Sequence, residues 1–325
     1  MNVVDILAAR RRIDPFVQPS PLRQSLWLSD SAGGAVYLKL ESVQLTNSFK
    51  IRGALNAALR VIEQAGGCAD AAPTIVAASA GNHGRGLAFA CERLGLKGVI
   101  FTPRGAPETK KTAIRRHGVE LRDDAADYDA AEEAARAFAD ARGYLYVTGY
   151  NHVDVIAGAG TVALEILDVL PRLDAVVVPI GGGGLASGIG MVMKAVAPDV
   201  RVIGVEAAVS TAFAVSLREG QISRIEPARS LADGLTGNLE PHAITFELVR
   251  AVVDELAAID EDEIADAIRQ LAGEEHMIAE GAGAVATAAV LHRKVVRPRE
   301  TAVVMVTGGN IDAGTFARVI APGPL

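Results

Sequence analysis

Strand-like and helix-like segments alternate along nearly the whole chain, and this rhythm narrows the available folds more than any other feature. Apolar runs at Thr74-Ile75-Val76-Ala77-Ala78, Gly98 to Pro103, Ala175 to Pro179, Val200 to Val205 and Thr301 to Val306 read as strands. Between them, helical spacing of apolar residues covers Tyr128 to Arg142, Ile156 to Leu170, Ala186 to Ala197, Glu261 to Glu274 and Ala282 to Leu291. Each strand–helix–strand step is a crossover, which lays consecutive strands parallel. The chain has 325 residues, enough for two units sharing a core. No long linker, low-complexity tract or repeat separates them. The expectation is an α/β protein of two lobes, with a cleft between them.

Shorter elements fill in the pattern. Val3 to Ile13 reads as a helix with Arg10-Arg11-Arg12 on a solvated side or in an oligomer contact, and Pro107 to His117 as a basic helix. Gly86 to Ala90 opens another helix and Phe213 to Arg218 marks one more, while Val36 to Glu41, Glu120-Leu121 and Leu145 to Val147 are short strands. A net charge of −7 with acids and bases interspersed offers no nucleic-acid surface. Cys68 and Cys91 have neither metal-ligand spacing nor a disulfide framework, which fits a reducing compartment. The N-terminus lacks the charged start and apolar run of a signal peptide, and the apolar runs are too short to cross a bilayer. A cytoplasmic protein with no membrane partner is the expectation.

Four loop segments carry chemistry. Pro179-Ile180-Gly181-Gly182-Gly183-Gly184-Leu185 follows a strand and opens a helix. Without Cβ atoms, successive backbone N–H groups there can converge on an anion at the positive end of a helix. No Lys-Ser/Thr pair follows and no ribose-binding acid is placed, so a phosphate without a nucleotide fits better than a P-loop or dinucleotide site. Ser79-Ala80-Gly81-Asn82-His83-Gly84 offers hydroxyl, amide and backbone donors at another helix start, suited to a carboxylate or a phenolate; a capping serine in a tight turn is the plain alternative. Thr307-Gly308-Gly309-Asn310 follows the last strand, where Thr307 either offers a hydroxyl to the cleft or caps a helix. Lys50, between Phe49 and Ile51, sits where a strand and loop enter a helix, and is either a surface charge at the helix start, the reading that composition favours, or a functional amine. There the helix dipole depresses an amine's pKa, as a neutral nucleophile toward an aldehyde requires. One face of an α/β sheet gathers such loops. A phosphate cradle, a carboxylate loop, a hydroxyl and a lysine together describe pyridoxal phosphate held as a Schiff base.

These segments resemble a known family. Ser48-Phe49-Lys50-Ile51-Arg52-Gly53-Ala54, Ser79 to Gly84, Gly181 to Leu185 and Thr307 to Asn310, in this order, are similar to the fold type II pyridoxal-phosphate enzymes. Ile51-Arg52 and Asn82-His83 place the resemblance nearest the serine/threonine dehydratase branch, which includes serine racemase; a phenylserine-dehydratase-like member is one form of it. The resemblance implies a tryptophan synthase β-like architecture, each lobe an open, mainly parallel sheet flanked by helices. Residues 1–52 and 150–325 would form the large cofactor-binding lobe and 53–149 a small mobile lobe, with no regulatory domain and no isoleucine feedback. A homodimer is the family's usual state. Lys50 would carry the cofactor and act as base on Cα, with Phe49 behind the ring. Asn82 would meet the phenolic oxygen, Gly181, Gly182, Gly183, Gly184 and Leu185 would hold the phosphate, and Thr307 would face the pyridine nitrogen. Ser79, Ala80, Gly81, Asn82 and His83 would bind the substrate carboxylate.

The implied reaction is loss of water and ammonia from an L-β-hydroxy-α-amino acid, of threonine or serine type or a β-aryl serine, giving the 2-oxo acid. A hydroxyl partner at the ring nitrogen weakens the electron sink and favours elimination. The racemase keeps a serine where this chain has Ala80, so dehydration without efficient racemisation is expected. Arg85 stands where the branch often has glutamine and is a candidate for tuning the pocket. Glu206 matches one half of the racemase's metal pair, but Ala212 occupies the other position, so no metal is assigned. Alternatives are a 3-hydroxyaspartate dehydratase, an amino-acid racemase, a non-catalytic cofactor-binding homologue, or a nucleotide-binding α/β protein. His276 and Glu280 either touch the cleft, since the family places a glutamate-glycine turn there, or are structural, the reading taken first; His152 reads as a hinge residue. Asp233-Gly234 reads as a backbone contact to the cofactor, and Asp123-Asp124 and Glu132-Glu133 as solvated faces.

Overall fold

The computed structural model describes residues 1–321. In chain order it begins with α1 (Val3–Ile13), β1 (Leu22–Gln24), α2 (Leu26–Ala32) and β2 (Ala35–Leu40), then α3 (Lys50–Gln64). Next come β3 (Ile75–Ala78), α4 (Asn82–Leu94), β4 (Gly98–Pro103), α5 (Glu108–Arg115), β5 (Glu120–Ala125), α6 (Tyr128–Arg142) and β6 (Leu145–Tyr146). Helix α7 (Val153–Val169) leads into β7 (Ala175–Pro179), α8 (Gly184–Val196), β8 (Arg201–Ala207) and α9 (Ala212–Glu219). The chain continues with α10 (Ile244–Val252), β9 (Glu255–Ile259), α11 (Glu261–Glu274), α12 (Gly281–Leu291), β10 (Thr301–Val306) and α13 (Ala313–Ile320).

Two sheets organise these elements. A four-stranded sheet, in order β5-β4-β3-β6, is parallel throughout. A six-stranded sheet runs β1-β2-β10-β7-β8-β9, with only β1 antiparallel to its neighbour. Every residue of β7 is buried, as a central parallel strand covered by helices on both faces must be. Edge strand β5 is partly exposed and carries charge, Glu120-Leu121-Arg122-Asp123-Asp124, which guards it against pairing with another chain.

Local chemistry sets the element boundaries. Asn2 and Asp5 close a capping box on α1, and Asp260 and Glu263 close another on α11. Gly143 ends α6 in the left-handed region at φ 65°. The Arg10-Arg11-Arg12 triplet is less free than expected: Arg10 pairs with Asp168 of α7, and Arg12 donates to Asn56 and Glu63 of α3. His152 is the N-cap of α7, its Nδ1 accepting from Asp154 N–H at 3.2 Å.

Helices α3, α7 and α8 cross at very short range. A Cβ on Gly158 of α7 would fall 2.4 Å from the Arg52 carbonyl of α3, and one on Gly188 of α8 would fall 2.7 Å from Gly160 of α7. Glycine is required at these contacts because the backbones themselves touch.

A buried ion cluster locks the first turn of α3. Arg52, 1% exposed, donates through Nε and Nη2 to both oxygens of Glu41 at 2.8 and 2.9 Å, and through Nη1 and Nη2 to Glu165 of α7 at 2.6 and 2.9 Å. Lys39 Nζ, from β2, completes the set with Glu165 and the Ser20 carbonyl, each at 2.6 Å. Two buried cations thus face two carboxylates, and the bidentate arrangement offsets the cost of desolvating them.

Candidate active site

The loops singled out in the sequence meet at one cleft of about 1740 Å³. Its lining includes Phe49, Lys50, Ser79, Ala80, Gly81, Asn82 and His83, together with Gly181, Gly182, Gly183, Gly184, Leu185 and Thr307. All the predicted site residues are therefore brought together. A backbone bridge between Ser48 and Gly308, and a 3.1 Å hydrogen bond from Phe49 N–H to the Thr307 carbonyl, tie the lysine loop to the loop after β10.

Lys50 is the first residue of α3, and its Nζ donates to the Gly149 carbonyl at 2.6 Å and lies 5.2 Å from the centre of the Phe49 ring. Its pKa is lowered to about 8, as the sequence suggested. The cause is burial, with Glu280 pulling the other way, whereas the helix dipole had been the expected reason.

Helices α4, α8 and α12 all point their N-termini into this cleft, and none has a side-chain cap. Their first backbone N–H groups are thus left for a ligand. Helix α4 begins at Asn82, four residues earlier than the sequence pattern placed it, so the Asn82 side chain belongs to the first turn. At α8, Gly183 is the N-cap in the left-handed region at φ 83°. A Cβ on Gly182 would fall 2.2 Å from the Tyr150 ring, and one on Gly183 would fall 2.6 Å from Phe213. Only a chain without side chains can lie there, and it leaves a cradle lined by backbone donors. These features fit a phosphate-bearing aldehyde such as pyridoxal phosphate: an anion cradle, a neutral-capable amine and an amide donor on one wall.

His83 is buried, and its Nε2 bonds the Val147 carbonyl at 2.9 Å. A carbonyl only accepts, so Nε2 carries the hydrogen and Nδ1 presents a lone pair, which is buried without a partner. Burial and the neighbouring Lys50 push the His83 pKa down to about 3. His83 therefore offers a substrate carboxylate its backbone position and no ring charge. The Thr307 hydroxyl donates to the Ala282 carbonyl at 3.2 Å.

Several cleft residues were missed or misread from sequence. Glu280 had been read first as structural, with a cleft contact as the alternative. It lines the cleft and accepts from Asn82 Nδ2 at 2.5 Å, its pKa pushed up to about 7 chiefly by burial. Gly308 makes room for it, since a Cβ there would fall 2.2 Å from the Glu280 carboxylate. Glu132 and Glu133 also line the cleft rather than a purely solvated face, and Glu132 pairs with Arg136. Tyr150, whose hydroxyl accepts from Glu240 N–H at 2.7 Å, had no sequence signal beyond proximity to a motif, and Asn310, the last residue of the Thr307 motif, was given no role of its own. Asp233 pairs with Lys110 at 2.6 Å across the cleft rim. Glu206 accepts from the N–H groups of Phe213 and Ala214 and so anchors the start of α9.

A family profile described as "Pyridoxal-phosphate dependent enzyme" matches residues 13–308. The chain is 42% identical over 323 residues to a protein of Thermotoga maritima named L-threonine ammonia-lyase, covering 99% of this chain and 79% of that one. It is also similar to the solved processed form of threonine deaminase isoform 2 from Solanum lycopersicum, with a TM-score of 0.89 and 31% identity, covering 98% of this chain and 86% of that one. Maize serine racemase superposes with a TM-score of 0.88 at 29% identity, covering 98% and 97% of the two chains.

Proposed function

This chain belongs to the pyridoxal-phosphate dependent enzymes, and on that premise we propose that it removes water and ammonia from an L-β-hydroxy-α-amino acid of the threonine and serine type. The product is the 2-oxo acid. The observation that carries this reading is the Lys50 amine, lowered to about 8 by burial, in one cleft with the uncapped, glycine-lined N-terminus of α8.

Pyridoxal phosphate, when bound, supplies an electron sink for the pair released as the Cα–H bond breaks. Gly181 to Gly184 and Leu185 would hold its phosphate with backbone N–H groups, and Phe49 would lie against the ring. Lys50 Nζ would first bind the aldehyde and then, freed as a neutral amine, take the α-proton. The Ser79 to His83 loop at the start of α4 would hold the substrate carboxylate, which fixes the Cα–H bond relative to Lys50. Thr307 brings a neutral hydroxyl, so no carboxylate would stabilise a protonated ring nitrogen. That setting would favour elimination: the β-hydroxyl takes up a proton and leaves as water, the enamine released tautomerises to an imine, and a second water adds to its C=N bond to give ammonia and the 2-oxo acid. The naming of the Thermotoga relative supports threonine as the first substrate to try.

The test is 2-oxo acid release from L-threonine, L-serine, threo-3-hydroxyaspartate and phenylserine, comparing the wild type with Lys50→Ala. Turnover of threonine or serine that is abolished in the variant is the expected result. Cofactor-loaded protein that turns over none of the four would overturn the reading.

A further inference from the structure

Asn82 is held by a chain of side chains that runs from a cation to a carboxyl group. Arg85 Nη1 donates to Asn310 Oδ1; Asn310 Nδ2 donates to Asn82 Oδ1 at 2.6 Å; Asn82 Nδ2 donates to Glu280 Oε1 at 2.5 Å. The second hydrogen of Asn310 goes to the Thr46 carbonyl at 2.9 Å. The side-chain partner of Arg85 among the described residues is Asn310 and not a carboxylate, and its buried Nε has no partner there. Its strongest contact is therefore with Asn310.

The direction of this chain is fixed by chemistry. A guanidinium has donors only. Asn310 must therefore turn its oxygen toward Arg85 and its nitrogen toward Asn82. Asn82 must then accept on its oxygen, and its nitrogen faces Glu280. An amide side chain alone could sit either way round; here Arg85 removes the choice whatever the protonation of Glu280. One N–H of Asn82 is used by Glu280, and the other remains for a ligand in the cleft.

We propose that Arg85 and Asn310 are positioning residues that lock the Asn82 amide so that an N–H, and not the carbonyl, faces the phenolic oxygen of the cofactor. This rests on the function proposed above. A donated N–H favours the ionised phenolate, so the relay sets the pH at which the bound chromophore titrates. Hydrogen bonds in such a line also polarise one another. Lys50, Arg85 and Glu280 are charged groups of this wall of the cleft, and Lys110, Arg116 and Asp233 act on them in turn; the experiment must separate their through-space effect from the relay.

The readout is the pH midpoint of the visible band in the cofactor-loaded protein, with the cofactor dissociation constant measured alongside. Asn310→Leu keeps the Arg85 charge but breaks the link, Arg85→Met removes both, and Arg85→Lys keeps a donor-only cation. We expect Asn310→Leu and Arg85→Met each to raise the midpoint by about one unit and weaken cofactor binding about tenfold. Arg85→Lys should stay within about 0.3 unit of the wild type. A midpoint unmoved by Asn310→Leu, or moved as far by Arg85→Lys as by Arg85→Met, overturns the relay and leaves the enzymatic reading standing. Absence of any Lys50-dependent visible band in the wild type overturns both.

Discussion

Lys50 Nζ donates to the carbonyl oxygen of Gly149 at 2.6 Å, a contact that spans 99 positions of sequence and joins the start of α3 to the segment leading into α7. This carbonyl holds the amine at the cleft floor, where burial depresses its pKa to about 8.

Capture of the aldehyde needs the neutral amine, so its rate in apo protein should climb about tenfold per pH unit below 8 and level off above it. An unperturbed lysine would still be climbing near pH 10. Stopped-flow growth of the visible band measures this, and a midpoint near 10 would contradict the buried-amine account. The same shift makes apo stability rise with pH between about 8 and 10.5. In that window the unfolded lysine still binds a proton that the folded one has shed.

Arg52 should tolerate no conservative replacement. Arg52→Lys cannot span Glu41 and Glu165 at once. A loss of about 2–4 kcal/mol is expected for lysine and about 3–5 for alanine, where two buried carboxylates lose their partner. Urea unfolding of the apo protein checks it. A change below about 1 kcal/mol, the range of exposed ion pairs, would show that the cluster is solvated.

Gly182→Ala places a methyl group 2.2 Å from the Tyr150 ring. Either the ring leaves the Glu240 N–H or the cradle opens, and each route should weaken cofactor binding at least about tenfold while the far-UV spectrum stays native. Equilibrium dialysis with pyridoxal phosphate gives the number. Unchanged affinity would remove the glycine run from the phosphate site.

Ala80 bears no proton that could be delivered to the face of Cα opposite Lys50. Incubation with L-serine or L-threonine should therefore yield 2-oxo acid with D-amino acid below about one part in a hundred, a factor matched to the usual contribution of one general acid. Ala80→Ser should raise the D-product. Chiral chromatography of the quenched mixture decides, and abundant D-product from the wild type would defeat the argument.

The parallel sheets and the gathering of four loops at one cleft were legible because strand runs such as Val176-Val177-Val178 and glycine clusters are local signals. The contact that Glu280 makes was not legible. A glutamate ahead of Gly281 reads as an ordinary helix start, and only the folded chain sets it against Asn82, 198 positions away. The contacts of Asn310 and Tyr150 escaped for the same reason. Strands β1 and β9 and helices α2, α10 and α13 were passed over because they are brief and flanked by weak turn signals. The cause of the Lys50 shift was misjudged, since burial cannot be counted before the neighbours are known.

The crossings at Gly53–Gly158 and Gly160–Gly188 have one more consequence. Helix α7 touches the amine-bearing helix on one flank and the helix behind the glycine loop on the other, backbone against backbone at both crossings. The reach from Lys50 to the glycine loop is thereby gauged by three stacked rods. A ligand tethered both at Lys50 and at the glycine loop would meet a span set by these two contacts.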